Sequence, residues 1–179
     1  DIAFDMQAAT TIPGGFVYMI QGTFTSDLHI LVPGVGSSTI SRLSVGIQGL
    51  GYTNGKLYGF ANFATPMGIY EIDPTTGACT LAVSTEAQGL RFFALDGDNE
   101  TGLLYGFSEY GTTGLYSIDP VTGTMHRIAP TPPNSYGMCR GMAVGHHTAY
   151  LVDTHPTDSY YAYDLTQGDN GTYQPFTNP

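Results

Sequence analysis

Short runs of alternating apolar and polar residues, separated by glycine-rich turns, extend along most of the chain. Two stretches show the pattern most clearly: Leu57–Gly77 reads LYGFANFATPMGIYEIDPTTG and Leu104–Gly123 reads LYGFSEYGTTGLYSIDPVTG. Each contains two runs rich in Tyr, Ile and Phe, which favour β-strands, and then Asp-Pro-x-Thr-Gly, which favours a tight turn. No segment has sustained helical periodicity. The sequence therefore predicts an all-β protein with almost no helix.

The motif recurs about every 45 residues and divides the chain into four repeats, at roughly 1–44, 45–87, 88–132 and 133–179. Each repeat contains four predicted strands, and four-stranded units of this period are typical of β-propeller blades. A blade is apolar on both faces, so neighbouring blades must pack face to face. We predict a single β-propeller domain over 1–179 with four blades, either a small closed propeller or part of a larger one.

The first repeat is the most diverged of the four. The tyrosines of the two clear repeats, Tyr58 and Tyr105, are expected to pack between blades, and Gly59 and Gly106 to allow close approach of the sheets. The four strands predicted for the first repeat are Ile2–Ala8, Phe16–Gln21, Leu28–Val32 and Thr39–Leu43.

The repeated motif resembles the YVTN-type and quinoprotein-type propeller repeats, whose blades often read L-Y-x-x-D/N and then I-D-P-x-T-G. The resemblance covers residues 47–165 and implies a propeller fold. It implies little about activity, because this repeat serves lyases, lactonases, dehydrogenases, scaffolds and adhesins alike. The first and last repeats depart from it, since Leu31–Gly34 and Asp164–Gly168 lack the complete turn motif.

The charge balance argues against two classes of partner. The chain has five Lys and Arg against fifteen Asp and Glu, a formal net charge of −10, and only 11% charged residues. Nucleic-acid binding depends on clustered basic residues, and so does attraction to anionic membranes. No apolar run is long enough to span a bilayer. We expect neither a nucleic-acid partner nor membrane insertion.

Two glycosylation sequons and the scarcity of lysine favour an extracellular location. The sequons are Asn99-Glu100-Thr101 and Asn170-Gly171-Thr172, and both fall in predicted exposed turns. An acidic β protein rich in Gly, Tyr, Thr and Ser is more common outside cells than inside them. We predict a secreted or cell-surface protein with glycosylation at Asn99 and Asn170.

The innermost strand of each blade lines the central channel, so polar residues at its start are candidate ligand-binding groups. Gln48, Arg91 and Arg140 occupy matching places in the second, third and fourth repeats. One hypothesis is a channel mouth that binds an anion, a carboxylated ligand or ordered water. The other is that each guanidinium pairs with a neighbouring aspartate or with carbonyls at the strand end.

Two groups of potential metal ligands are weak candidates, and we predict neither a metal nor a cofactor. Asp96–Gly102 resembles the start of a calcium loop but lacks the later bidentate glutamate, and turn chemistry explains its composition equally well. The second group lies at both ends of one predicted strand, which is too long to let its members share a site. Its members are His146, His147, Asp153, His155 and Asp158.

The cysteines, Cys79 and Cys139, fall on an outer strand of the second blade and an inner strand of the fourth. A disulfide needs a Cα separation of about 5.5 Å, so these positions are too far apart to bridge. They are interpreted as small buried hydrophobes, with pairing of Cys79 to another chain as the alternative.

These observations favour a non-catalytic extracellular module that assembles with copies of itself or binds a glycan or protein. Polar aromatic residues suit such contacts, since tyrosine gives large contact area at small entropic cost. The alternative is a propeller enzyme of lyase or lactonase type with its site at the channel mouth. A lectin with pockets between blades would use Asp73, Asp119 and Asp164, which turn chemistry also explains. The candidate contact residues, each of which could also be ordinary packing, are Tyr110, Tyr136, Tyr160 and Tyr173.

Overall fold

The structure, a computed structural model, describes residues 6–22, 24–154 and 159–176, with the side chains of residues 6–8 excepted. It is a four-bladed β-propeller in which each blade is one antiparallel sheet of four consecutive strands. Sheet one consists of β1 Met6–Ile12, β2 Phe16–Gln21, β3 Asp27–Val32 and β4 Gly36–Arg42. Sheet two consists of β5 Gly49–Thr53, β6 Lys56–Ala61, β7 Gly68–Ile72 and β8 Cys79–Ser84.

The third and fourth sheets repeat the same order. Sheet three consists of β9 Phe92–Gly97, β10 Leu104–Ser108, β11 Gly114–Ile118 and β12 Met125–Ala129. Sheet four consists of β13 Cys139–Gly145, β14 Thr148–Asp153, β15 Ser159–Asp164 and β16 Gln174–Phe176. Helix is limited, in the described residues, to two short 3-10 turns at Glu86–Gln88 and Leu165–Gln167. None of the described helices is long and apolar enough to cross a membrane. The predicted fold class is confirmed.

The first strand of each sheet is innermost, and these strands pack in the order β1, β5, β9, β13. Because they run in the same direction, their starts lie at one end of the propeller, which we call the mouth face. The loops that join β2 to β3, β6 to β7 and β10 to β11 lie at that end too. The other end, the turn face, carries the tight hairpin turns.

One turn geometry recurs on the turn face. The Asp73 carboxylate accepts hydrogen bonds from the backbone N–H of Thr75 and from the Thr76 hydroxyl, at 2.8 and 2.7 Å. Asp119 does the same with Val121 and Thr122. Asp98, the third case, accepts from Glu100 and Thr101 in the loop that resembles a calcium site. That loop is therefore a further copy of the structural turn, with its carboxylate already engaged.

The repeat tyrosines are buried as predicted, whereas the repeat glycines make their closest contacts within their own repeats. Tyr58 and Tyr105 are buried. A Cβ on Gly59 would lie 2.6 Å from Ile47 Cγ2, and one on Gly106 would lie 2.7 Å from the Phe92 ring. Each glycine therefore makes room for a large side chain of its own repeat, and that side chain lies in the apolar cluster shared with the preceding sheet.

The predicted first strand of the first repeat is wrong. The sequence pattern favoured Ile2–Ala8, whereas β1 is Met6–Ile12, and residues 1–5 lie outside the described residues. The tight turn at 13–15 pairs Ile12 with Phe16 and so sets the register of the hairpin. In the same repeat β2 matches its prediction and β3 begins one residue earlier, whereas β4 is Gly36–Arg42 instead of Thr39–Leu43.

Gly106→Ala tests the close packing of the Phe92 ring against Gly106 within sheet three. We expect it to lower the free energy of unfolding by about 1–3 kcal/mol, since the new methyl overlaps the buried Phe92 ring. Urea denaturation measures the loss. Gly145→Ala is the matched control, because a Cβ there meets no atom within 4 Å. Equal stability of the two variants would contradict the interpretation.

Candidate functional site at the channel mouth

The four inner strands line a small, partly open cavity on the propeller axis, of about 80 Å³. Every sheet contributes to it: Ala9 from sheet one, Leu50 from sheet two, and short segments of β9 and β13. Phe93 and Arg140 line it on the side of the mouth face. A cavity of this size holds a few water molecules or one small functional group of a larger ligand.

The two predicted arginines stack on aromatic rings at the mouth. The guanidinium carbon of Arg91 lies 4.7 Å from the ring centre of Tyr110, and that of Arg140 lies 5.5 Å from the ring centre of Phe93. The two rings are themselves 6.5 Å apart. Cation–π contacts of this kind hold a guanidinium plane in a fixed orientation while leaving its edge available for hydrogen bonds.

Gln48 occupies a different environment from the arginines. Its side chain is buried, and its Oε1 accepts a hydrogen bond from the backbone N–H of Asn62 at 2.6 Å. Its own backbone N–H donates to the carbonyl of Phe60. Gln48 therefore fixes the end of β6, and the structure does not group its side chain with the two arginines. The role of all three residues in ligand binding stays a prediction.

Glu109 is a mouth residue that the sequence reasoning missed. Its carboxylate accepts a hydrogen bond from Arg140 Nε at 3.2 Å, and its side chain is only 4% exposed. Burial raises the pKa of Glu109, and the Arg140 charge offsets part of that rise. The repeat pattern contained a signal for Glu109. It occupies the same place in the third repeat as Asn62 does in the second, at the end of a strand beside the channel.

Asp96 links three inner strands by hydrogen bonds next to the cavity. The sequence pattern did not predict this role. Asp96 Oδ1 accepts a hydrogen bond from the Thr10 hydroxyl of β1 at 2.8 Å, and its Oδ2 accepts one from the Val144 N–H of β13 at 2.9 Å. Burial raises the pKa of Asp96, and both hydrogen bonds offset that rise. Asp96 belongs to β9, so one carboxylate connects sheets one, three and four.

Exposed aromatic side chains surround the mouth. Phe24, Phe63 and Tyr110 come from the β2–β3, β6–β7 and β10–β11 loops, and Tyr136 comes from the loop before β13. The rings of Phe24 and Phe63 are 4.8 Å apart. Two of the predicted contact tyrosines, Tyr110 and Tyr136, are therefore exposed at the mouth face. The other two belong to the fourth repeat: Tyr160 on β15 is half-buried, and Tyr173 before β16 is buried and donates its hydroxyl hydrogen bond to the Pro130 carbonyl.

A second, larger groove of about 440 Å³ lies between sheets one and two and opens towards the turn face. It is lined by Tyr18, Tyr52 and Asp73 and by the ion pair of Lys56 with Glu71, whose atoms are 2.9 Å apart. Hydrogen bonds from its own turn lower the pKa of Asp73. The Asp73 carboxylate therefore accepts hydrogen bonds from its own turn, and the carboxylates of Asp119 and Asp164 do the same.

The remaining candidates lie away from the mouth. His146 and His147 form the exposed β13–β14 turn, where His147 pairs with Glu100 at 3.2 Å. His155 and Asp158 lie outside the described residues. Among the residues described, no three His, Cys, Asp or Glu side chains are placed to hold a metal ion.

Both cysteines are free and lie on the strands where they were predicted, Cys79 on β8 and Cys139 on β13. Cys139 is fully buried beside the buried carboxylate of Asp153. Burial raises the pKa of its thiol to about 12, which makes it a poor nucleophile at neutral pH. Both sequon asparagines, Asn99 and Asn170, are exposed on the turn face.

No known protein family matches the sequence, and no curated protein matches it. A structural genomics protein of unknown function from Bacteroides thetaiotaomicron VPI-5482 is similar at a TM-score of 0.75 and 17% identity, over 97% of this chain and 48% of that one. TolB from Acinetobacter baumannii is similar at 0.67 and 14%, over 97% and 44%. The computationally designed Ika4 protein is similar at 0.55 and 11%, over 92% and 94%. The chain spans less than half of the first two, and the likeness shows the propeller fold.

Glu109→Gln tests the buried carboxylate at the mouth. The folded chain keeps the Glu109 proton at a pH where the unfolded chain has lost it, so its contribution to stability is complete below about pH 4.5 and is lost as the pH rises through the raised pKa. When the pH is raised from about 4 to about 7, we expect the free energy of unfolding to decrease less for the variant than for the native chain. Urea denaturation at both pH values measures the difference. Glu86→Gln, at an exposed carboxylate, is the control.

Asp96→Asn tests the link between the inner strands. Asparagine has one acceptor oxygen where aspartate has two, so either the Thr10 hydroxyl or the Val144 N–H loses its acceptor. We expect a decrease of about 1–3 kcal/mol in the free energy of unfolding at neutral pH, measured by thermal or urea denaturation. Asp169→Asn removes an exposed carboxylate paired with His126 and should change stability much less. A stability equal to that of the native chain would show that Asp96 is dispensable.

Proposed function

We propose that the protein is a non-catalytic extracellular module that binds a carboxylate-bearing glycan at the mouth face. The observation that carries the proposal is the pair of arginines, Arg91 and Arg140, held on aromatic rings beside an axial cavity. A planar guanidinium binds a carboxylate with two parallel hydrogen bonds. Aromatic rings offer flat apolar surface to the C–H faces of sugars, as Phe24, Phe63 and Tyr110 do here.

The availability of the two guanidinium groups supports this assignment. Arg91 has no ion-pair partner among the described residues. Arg140 uses its Nε for Glu109 and is half-exposed, so its terminal nitrogens stay available as donors. The two guanidinium groups can therefore bind an anionic ligand at this place, beside the buried carboxylates of Glu109 and Asp153.

The position of the sequons supports an extracellular role. Asn99 and Asn170 lie on the turn face, so attached glycans would leave the mouth face uncovered. The YVTN-type resemblance of the repeat is compatible with such a role, since that repeat also serves scaffolds and adhesins.

An enzyme of lyase or lactonase type with its site at the same mouth is the second candidate. The observation that favours it is Glu109, a buried carboxyl with a raised pKa beside an arginine, since general acids in proteins have this environment. Turnover of lactones or uronates that Glu109→Gln abolishes would favour this function over simple binding.

Arg91→Gln and Arg140→Gln test the glycan proposal by isothermal titration calorimetry. The probes are a uronic-acid oligosaccharide and its carboxyl-reduced, neutral counterpart. We expect each variant to bind the acidic probe about tenfold more weakly than the native chain, because a charged hydrogen bond is lost. Arg42→Gln, which removes an exposed arginine from the outermost strand of sheet one, should leave binding unchanged. Equal affinity for the acidic and neutral probes would overturn the proposal.

A further inference from the structure

Sheet two shows what a complete blade interface requires. Directly opposite residues in an antiparallel sheet lie on the same face, so the face that sheet two turns towards sheet three can be read from the strand register. This face is apolar and fully covered. Its four central residues, with their exposed fractions, are Tyr58 at 2%, Phe60 at 0%, Ile69 at 0% and Val83 at 3%.

Sheets three and four carry the same face at the same repeat positions, but only sheet three buries it. In sheet three the residues are Tyr105 at 6%, Phe107 at 0%, Leu115 at 0% and Ala129 at 1%. In sheet four Tyr150 is 44% and Phe176 is 39% exposed, and Val152 and Tyr160 are half-buried. The Phe176 ring lies 6.0 Å from Tyr150 and 5.6 Å from Tyr160, so the aromatic residues form one continuous patch. We call these four residues of sheet four the outgoing face.

Sheet one carries the complementary half of such an interface. Val17 is the equivalent of Leu57, because each residue directly precedes the repeat tyrosine, Tyr18 or Tyr58. Val17 pairs with Leu31 on the next strand, so the two side chains lie on the same face of sheet one. The equivalents of Val17 in the next sheets are buried against the preceding sheet, whereas Val17, Met19 and Leu31 are only half-buried. We call these three residues the incoming face.

The two faces do not cover each other within one chain. The apolar clusters of the described residues join sheet one to two, two to three and three to four, and none joins sheet four to one. Near the axis, sheets one and four each donate a hydrogen bond to Asp96 of sheet three. The outgoing and incoming faces therefore line an open seam.

We propose that two copies of the chain associate head to tail, with the outgoing face of one copy packed on the incoming face of the next. We assign a second copy of the chain as the partner, because the outgoing and incoming faces are the two halves of one blade interface. The chain itself forms this kind of interface three times, between its successive sheets. One solved propeller that resembles the chain is about twice as long, so the same four-blade unit is compatible with additional blades packed beside it. Such a heterologous interface forms a ring if the rotation closes and a filament if it does not.

The first test is the assembly state of the native chain, without any glycan ligand, by sedimentation velocity from micromolar to near-millimolar concentration. We expect mass to increase with concentration. Tyr150→Lys and Val17→Glu should each abolish association, because each places a charge in one half of the interface. Val121→Ser, at an exposed residue of a turn, is the control. A native chain that stays monomeric throughout would overturn the proposal.

A mixture of the two variants distinguishes head-to-tail packing from other modes. The Tyr150→Lys chain keeps its incoming face and the Val17→Glu chain keeps its outgoing face, so the mixture should form dimers that cannot extend. A mixture that stays monomeric while the native chain associates would overturn the head-to-tail arrangement, and self-association of one variant alone would show a symmetric interface and overturn it too. Circular dichroism of each variant checks the fold, and Phe176→Lys replaces Tyr150→Lys if that variant does not fold. Association in the absence of a glycan keeps this result separate from the glycan proposal.

Discussion

Face-to-face packing of sheets is the interaction on which the rest of the structure depends. Each interior blade is apolar on both sides, so it is stable only when its two neighbours cover it. The repeat supplies the contacts in fixed pairs: Leu57 faces backwards and Tyr58 faces forwards, and Leu104 and Tyr105 repeat this arrangement. Gly59 and Gly106 make room for Ile47 and Phe92, which lie in the apolar clusters shared with the preceding sheets. The channel, its mouth and the seam all follow from where this packing is complete and where it stops.

Much of the fold could be predicted from the sequence because the period and the turn chemistry are local properties. The recurrence of Tyr and of Asp-Pro-x-Thr-Gly determines strand number, strand order and the near absence of helix. The first strand was misplaced because the alternation near the start of the chain is ambiguous, and only pairing across the turn at 13–15 determines the register. The Asp98 turn was hard to recognise because Asn99 replaces the proline of the motif, although its hydrogen bonds are the same.

The candidate site was less predictable, because it depends on contacts between blades. Matching positions identified Arg91 and Arg140, but not that each would lie on an aromatic ring or that Gln48 would bond to the backbone of Asn62. Glu109 and Asp96 acquire their roles from residues far along the chain, Arg140 and Val144. Such pairings follow from three-dimensional placement, and a single repeat contains no signal for them.

The common direction of the inner strands gives the molecule two chemically different ends. Arginines and exposed aromatic rings lie at one end, and the sequons and rigid aspartate turns lie at the other. Blades that pack side by side around an axis keep this polarity, so copies joined through sheets four and one would present every mouth on the same side. Weak attachment at each mouth would then be multiplied into avidity for a surface that displays many identical ligands.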